Sequence, residues 1–159
     1  MSKVQQQTAQ AAEELAGLTG TRDFSGAETA LSDMTEAIRG GTPGEKRGLF
    51  RGALLRKDRD RQRADIDRIE SELLRQRLLL SNEIRSLKEL KERLGACEAE
   101  LKAQLAAAEE SERYSLQVSA TICTQSLAQA EILLAADESL QSNLKNALHH
   151  TIPLWRSQQ

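Results

Sequence analysis

Aromatic residues make up 3% of this 159-residue sequence, namely Phe24, Phe50, Tyr114 and Trp155. So few large rings exclude a thick globular core built around them. Proline occurs twice, at Pro43 and Pro153, and the stretch from Glu45 to Thr151 has none. That stretch holds three glycines, Gly48, Gly52 and Gly95, so helix is the regular structure open to it. The longest apolar run, Ile132 to Ala136, falls far short of the roughly 18 residues that read as a membrane span. The opening Met-Ser-Lys-Val-Gln-Gln-Gln has no hydrophobic signal region. Two cysteines without such a signal predict a reducing, cytoplasmic setting with no disulfide framework.

What is present is a strict seven-residue repeat. Ile66, Leu73, Leu80, Leu87, Leu94 and Leu101 recur at every seventh position, with Ile69, Gln76, Glu83, Leu90, Cys97 and Gln104 between them. A period of 3.5 residues keeps one seam facing a partner helix, so the repeat predicts a coiled coil. Acid-first pairs at i,i+4, Glu89–Arg93 and Glu98–Lys102, support the helix from its polar side.

A second stripe opens at Leu116 and runs through Ala120, Cys123, Leu127, Ala130 and Leu134 to Leu140, Leu144 and Leu148. The first seam is its obvious partner, which requires the chain to reverse. Gly95 lies inside an unbroken register, so the polar stretch Glu109-Glu110-Ser111-Glu112 is the better site. The expectation is an all-α fold: a long antiparallel coiled-coil helical hairpin over 45–159, turning near 109–113, with Leu94 facing Leu127 or its neighbours. Residues 1–44 form a separate N-terminal segment of one or two short helices. Val4, Thr8, Ala11, Leu15 and Leu18 mark a first helix, ended by Gly20 and marginal by itself at that length. Ala27, Leu31, Met34 and Ile38 mark a second, starting near Ser25 and closed by Arg39-Gly40-Gly41-Thr42-Pro43-Gly44.

Charge is uneven. Between Lys46 and Arg63 eight basic residues face Asp58 and Asp60, a balance of +6, so the remainder carries 14 − 22 = −8. Within this segment Phe50, Leu54 and Leu55 interleave with Arg51, Arg56 and Lys57. Together with Trp155 these residues are the candidate surface for a protein partner, a second copy or an anionic membrane, where each basic residue near the headgroups contributes about 1 kcal/mol. Nucleic acid ranks below both, because a modest basic segment on an acidic body with few aromatics lacks its usual signature.

Catalytic patterns are missing. There is no Gly-rich phosphate loop, no Ser/His/Asp set that spacing defines and no Cys-x-x-Cys, so the reading is non-enzymatic, with no cofactor and no metal. Cys97 and Cys123 fall on the two stripes as small hydrophobes, and they would stand at similar heights across the hairpin. That proximity is compatible with a thiol role for the pair. His149 and His150 are adjacent on a helix, point about 100° apart and make a poor ligand pair. Gln76 and Glu83 break the apolar seam; they fix register or mark a place where the partner helix diverges.

The sequence Thr151-Ile152-Pro153-Leu154-Trp155-Arg156-Ser157-Gln158 resembles the Thr-Ile-Pro-Leu-Trp motif of the TelA-like toxic-anion (tellurite) resistance family, whose members continue well beyond that motif. Leu79-Leu80-Ser81-Asn82-Glu83-Ile84 is similar to that family's Leu-Leu-x-Asp-Asn-x stretch, and Leu101 to Glu109 to its Leu-x-x-Tyr-Ile-x-Ala-Gly-Glu stretch. The resemblance covers roughly 45–159. Gln104-Leu105 stands in place of the family's aromatic-aliphatic pair, Ala108 in place of its glycine, and the spacer after the glutamate is absent. The resemblance implies a link to resistance against tellurite and other toxic anions or to envelope stress, with no established catalytic site. With the coiled-coil reading, this gives an interaction or scaffold protein; the alternative is a thiol-dependent oxyanion-handling protein using Cys97 and Cys123. The expected location is cytoplasmic, with membrane-peripheral contact through the basic segment. Separately, Pro153 predicts that regular helix ends or kinks close to Thr151.

Overall fold

The computed structural model describes residues 1–39 and 51–159, with side chains described from residue 57 onward in the second stretch. Among the described residues five α-helices follow in order: α1 (Lys3–Thr21), α2 (Ser25–Arg39), α3 (Arg51–Ala107), α4 (Glu110–Asn146) and α5 (Ile152–Ser157), with a π-helical turn, Ala147–Thr151, before the last. No strand occurs among the described residues.

The chain divides into two compact units that cut across the expected division at residue 44. Unit 1 is Met1–Arg22 with Ser81–Ser139; unit 2 is Asp23–Leu80 with Leu140–Gln159. Each unit therefore contains one short N-terminal helix and one stretch of each long helix.

In unit 1 the seam residues Leu87, Leu94 and Leu101 are fully buried, joined by Leu90, Cys97, Leu116, Cys123, Ala130 and Leu134. The α3 and α4 stretches run antiparallel: Cys123 Sγ reaches the Leu94 carbonyl at 3.1 Å, and Lys91 lies 3.8 Å from Glu131. The reversal occupies Ala108 and Glu109, at the leading edge of the expected 109–113. Glu110 and Glu112 belong instead to the first turn of α4, where carboxylates suit the positive end of the helix dipole. This earlier reversal places Leu94 against Cys123, one helical turn short of Leu127.

The helix α1 completes a three-helix bundle. Its Ser2 cap accepts from the Gln5 backbone while Gln5 Oε1 accepts from the Ser2 backbone at 2.8 Å, a reciprocal capping box. Val4, Thr8, Ala11 and Leu15 are buried against the hairpin. Packing supplies the stability that a helix of this length lacks alone. Polar contacts fix its direction: Ser2–Gln104 and Glu14–Arg93 make it antiparallel to α3, while Gln5–Ser115 and Thr19–Gln129 make it parallel to α4.

In unit 2 the core gathers Ile66, Ile69, Leu73 and Leu80 from α3, Ala27, Ala30 and Met34 from α2, and Leu144, Ala147, Ile152 and Trp155 from the C-terminal helices. The helix α2 begins at Ser25, as expected, and is described to Arg39; Gly40 to Gly44, the sequence expected to close it, lies outside the described residues. It starts beside Asp23, whose Oδ1 accepts from the Ser25 backbone and hydroxyl at 3.0 and 2.7 Å. Arg156 closes the far side on Asp67 and Glu70.

The expected disturbance ahead of Pro153 is present. Regular α-helix stops at Asn146, and the Ile152 amide bonds to the Ala147 carbonyl, five residues back. Pro153 has no N–H to donate and its ring crowds the carbonyl of residue i−4. The wider turn relieves that crowding without ending the helical path.

Candidate functional site

Of the surface expected from the sequence, the described side chains include only Lys57 and Trp155. Phe50 lies outside the described residues, as do the side chains of Arg51, Leu54, Leu55 and Arg56. Lys57 is exposed on α3, followed by exposed Arg59, Arg61 and Arg63. Trp155 is not a surface residue: it is 7% exposed and packs in the unit 2 core with Ile66, Ile69 and Ile152. The reason is spacing. Ile152 and Trp155 are three residues apart on one face of α5 and bury together, leaving Leu154 outside at 61%.

Cys97 and Cys123 are free thiols, both buried in unit 1. Burial, followed by the charge of Cys97 and then of Glu98, pushes the Cys123 thiol up to about 11. Cys123 also donates to the Leu94 carbonyl. A protonated, engaged thiol is a poor nucleophile and a poor soft-metal ligand at neutral pH. His149 sits 3.2 Å from the Arg77 guanidinium in unit 2, and no group of three or more metal-ligating side chains occurs among the described residues.

Of the two polar seam residues, Glu83 has the more consequential surroundings. On the unit 1 side of the seam it lies beside Asp137 of α4 and Arg22, the residue that ends α1. Arg22 Nε is 3.1 Å from Glu83 Oε1, and its Nη2 donates to Asp137 Oδ1. Asp137 is fully buried, and its Oδ2 has no donor of its own among the described residues. Burial, then the Asp137 charge, raises the Glu83 carboxyl to about 7, outweighing the opposing pull of Arg22. Below about 7 the protonated Glu83 carboxyl has an O–H to donate to Asp137. The arrangement locks the end of α1 to both arms of the hairpin.

The broken seam picks out Glu83 from sequence, but neither of its partners. A signal for Asp137 does exist: it continues the inner α4 spacing of Ala130 and Leu134 by three residues, at a point where an apolar residue is due.

The second feature is the outer face of α4 in unit 1. Tyr114, Val118, Thr121, Gln125, Ala128 and Ile132 follow 4-3-4-3-4 spacing and are all exposed, Tyr114 at 78% and Ile132 at 70%. Between Arg113 and Asp137 the sequence has a single charged residue, Glu131, and that one turns aside toward Lys91. The corresponding stretch of α3 exposes Arg85, Lys88, Glu89, Glu92, Arg93, Glu100 and Lys102. A solvent face ordinarily looks like α3. The α4 face instead repeats the coiled-coil period on the side opposite its core, the pattern of a helix with two seams. No protein-family model, curated protein or solved structure matches the chain.

Proposed function

We propose that this chain is a non-enzymatic helical interaction protein that works by assembly, of the toxic-anion (tellurite) resistance or envelope-stress type. The observation that carries assembly is the outward seam of α4, an uncharged heptad face with no partner helix among the described residues of its own unit. Exposed apolar residues aligned on one face mark an interaction surface, whereas scattered ones do not. At the ends of the seam Glu110, Glu112 and Glu138 outnumber Arg113, which favours a protein partner over an anionic membrane at this face.

The toxic-anion assignment rests on the resemblance of Thr151 to Trp155 and the two preceding stretches. The burial of Ile152 and Trp155 gives that motif a structural task, anchoring the C-terminal helix in unit 2. A cytoplasmic site of action goes with this reading, since both cysteines are free. No helix among the described residues is long and apolar enough to cross a membrane.

The test is complementation. Cells lacking the gene should lose tellurite tolerance and regain it with the native chain and with a Cys97→Ser, Cys123→Ser variant. Ile132→Glu, an exposed change, should fail to restore it. Unchanged tolerance on deletion would remove the toxic-anion assignment.

A further inference from the structure

We propose that the outer α4 seam binds the same seam of a second copy of this chain, antiparallel, about a two-fold axis level with Cys123. This pairing rests on the assembly reading and names its partner.

The seam is self-complementary. Written as a heptad, Val118, Gln125 and Ile132 are a positions, and Tyr114, Thr121 and Ala128 are d positions. An antiparallel coiled coil stacks a against d. Pairing Tyr114 with the partner's Ile132 then pairs Val118 with the partner's Ala128 and Thr121 with the partner's Gln125, every layer matching a with d. Each layer appears twice about the axis, as an isologous contact requires.

The layers also match in chemistry and size. Tyr114 faces Ile132 and Val118 faces Ala128, so bulky residues meet smaller or aliphatic ones. The central Thr121 and Gln125 pair a hydroxyl with an amide, each able to donate and accept. A parallel pairing would stack Tyr114 on itself and Gln125 on itself, forfeiting both matches. Charge points the same way. A basic or acidic partner gains nothing from a face without charge, whereas a copy of that face brings no ion that must be stripped of water.

The seam from Tyr114 to Ile132 spans about 27 Å at 1.5 Å per residue, shorter than a standard-size interface needs. The association is therefore weak and concentration-dependent. It suits a module that assembles when locally concentrated rather than an obligate dimer.

The experiment is sedimentation equilibrium of the full chain from micromolar to millimolar, with helicity followed by circular dichroism. The native chain should associate to a dimer. Tyr114→Lys and Ile132→Glu should each weaken association by about tenfold or more while leaving helicity unchanged. The double variant Y114K/I132E should recover it, because the antiparallel register sets the introduced lysine opposite the partner's introduced glutamate. A chain monomeric throughout, single variants that associate like the native chain, or a double variant no better than the singles would each overturn the proposal. Monomers whose I132E variant still fails in the complementation assay would overturn self-pairing and leave the assembly reading standing. Dimers whose I132E variant restores tolerance would support self-pairing and overturn assembly as the basis of function.

Discussion

The two units meet the same problem with opposite chemistry. Each contains a polar residue on a seam that wants leucine, and the two residues are one heptad apart. In unit 2, Gln76 is 4% exposed and stays neutral; room is made by Gly26, where a Cβ would stand 2.6 Å from Gln76 Nε2. Its amide donates to Glu72 at 2.9 Å. In unit 1, Glu83 is ionisable and draws in a second carboxyl and a guanidinium. The amide costs backbone space and a buried Oε1 that has no donor among the described residues. The carboxyl costs desolvation, and what it gains is a fixed end for α1 that depends on protonation.

The comparison breaks most sharply at Arg22. Arg22→Ala leaves two carboxyls facing each other across a buried seam and should cost about 3–5 kcal/mol of unit 1 stability, the usual loss when one partner of a buried ion pair is removed. Urea unfolding at neutral pH reads it. The matching change in unit 2, Arg156→Ala, removes ion pairs whose partners are partly exposed, Asp67 at 68%, and should cost less than about 1 kcal/mol.

The pH dependence follows with a definite sign. The folded Glu83 carboxyl lies at about 7, above its ordinary 4.5. Its contribution is fully present below the ordinary value and is lost as pH rises through about 7. Between those limits the native chain should lose stability relative to Glu83→Gln, which cannot titrate. Denaturation curves for the two proteins that stay parallel across this window would show that the carboxyl is not perturbed.

Two glycines sharpen the contrast at smaller scale. Gly26→Ala must displace the Gln76 amide and should destabilise unit 2 by about 1–2 kcal/mol, a modest overpacking cost. A further Gln76→Ala change should recover part of it. Gly95, in unit 1, has open space where an added methyl would stand, with nothing within 4 Å. Gly95→Ala should therefore raise stability by up to about 1 kcal/mol through helix propensity and the unfolded chain. Thermal unfolding resolves both.

The apolar architecture is legible in the sequence because periodicity is a local signal. All six first-seam residues are fully buried, and α2 starts at its expected residue. The expected reversal falls slightly late because consecutive glutamates suit a loop and the first turn of a helix equally well. Arg22 and Asp137 are 115 residues apart, and no local pattern announces a charge pair at that distance. Trp155 reads as a surface residue from sequence because the core that receives it is assembled from α2, α3 and α5 together. The outer α4 seam is faint because threonine, glutamine and alanine occupy half of its positions; the missing charge is the better clue.

The wiring of α1 also sets a clock. Its contacts lie 79 residues ahead at Arg93 and 115 ahead at Asp137. At the roughly 5–20 residues per second of synthesis, the helix waits on the order of ten seconds before its last partner leaves the ribosome. A strongly apolar helix would be an aggregation hazard over that interval. α1 carries Gln6, Gln7, Gln10, Glu13 and Glu14 on its wet side, and Ser2 and Gln5 complete its capping box from within its own first turn. It is built to wait in water, and the cluster that finally holds it closes only when both arms of the hairpin exist.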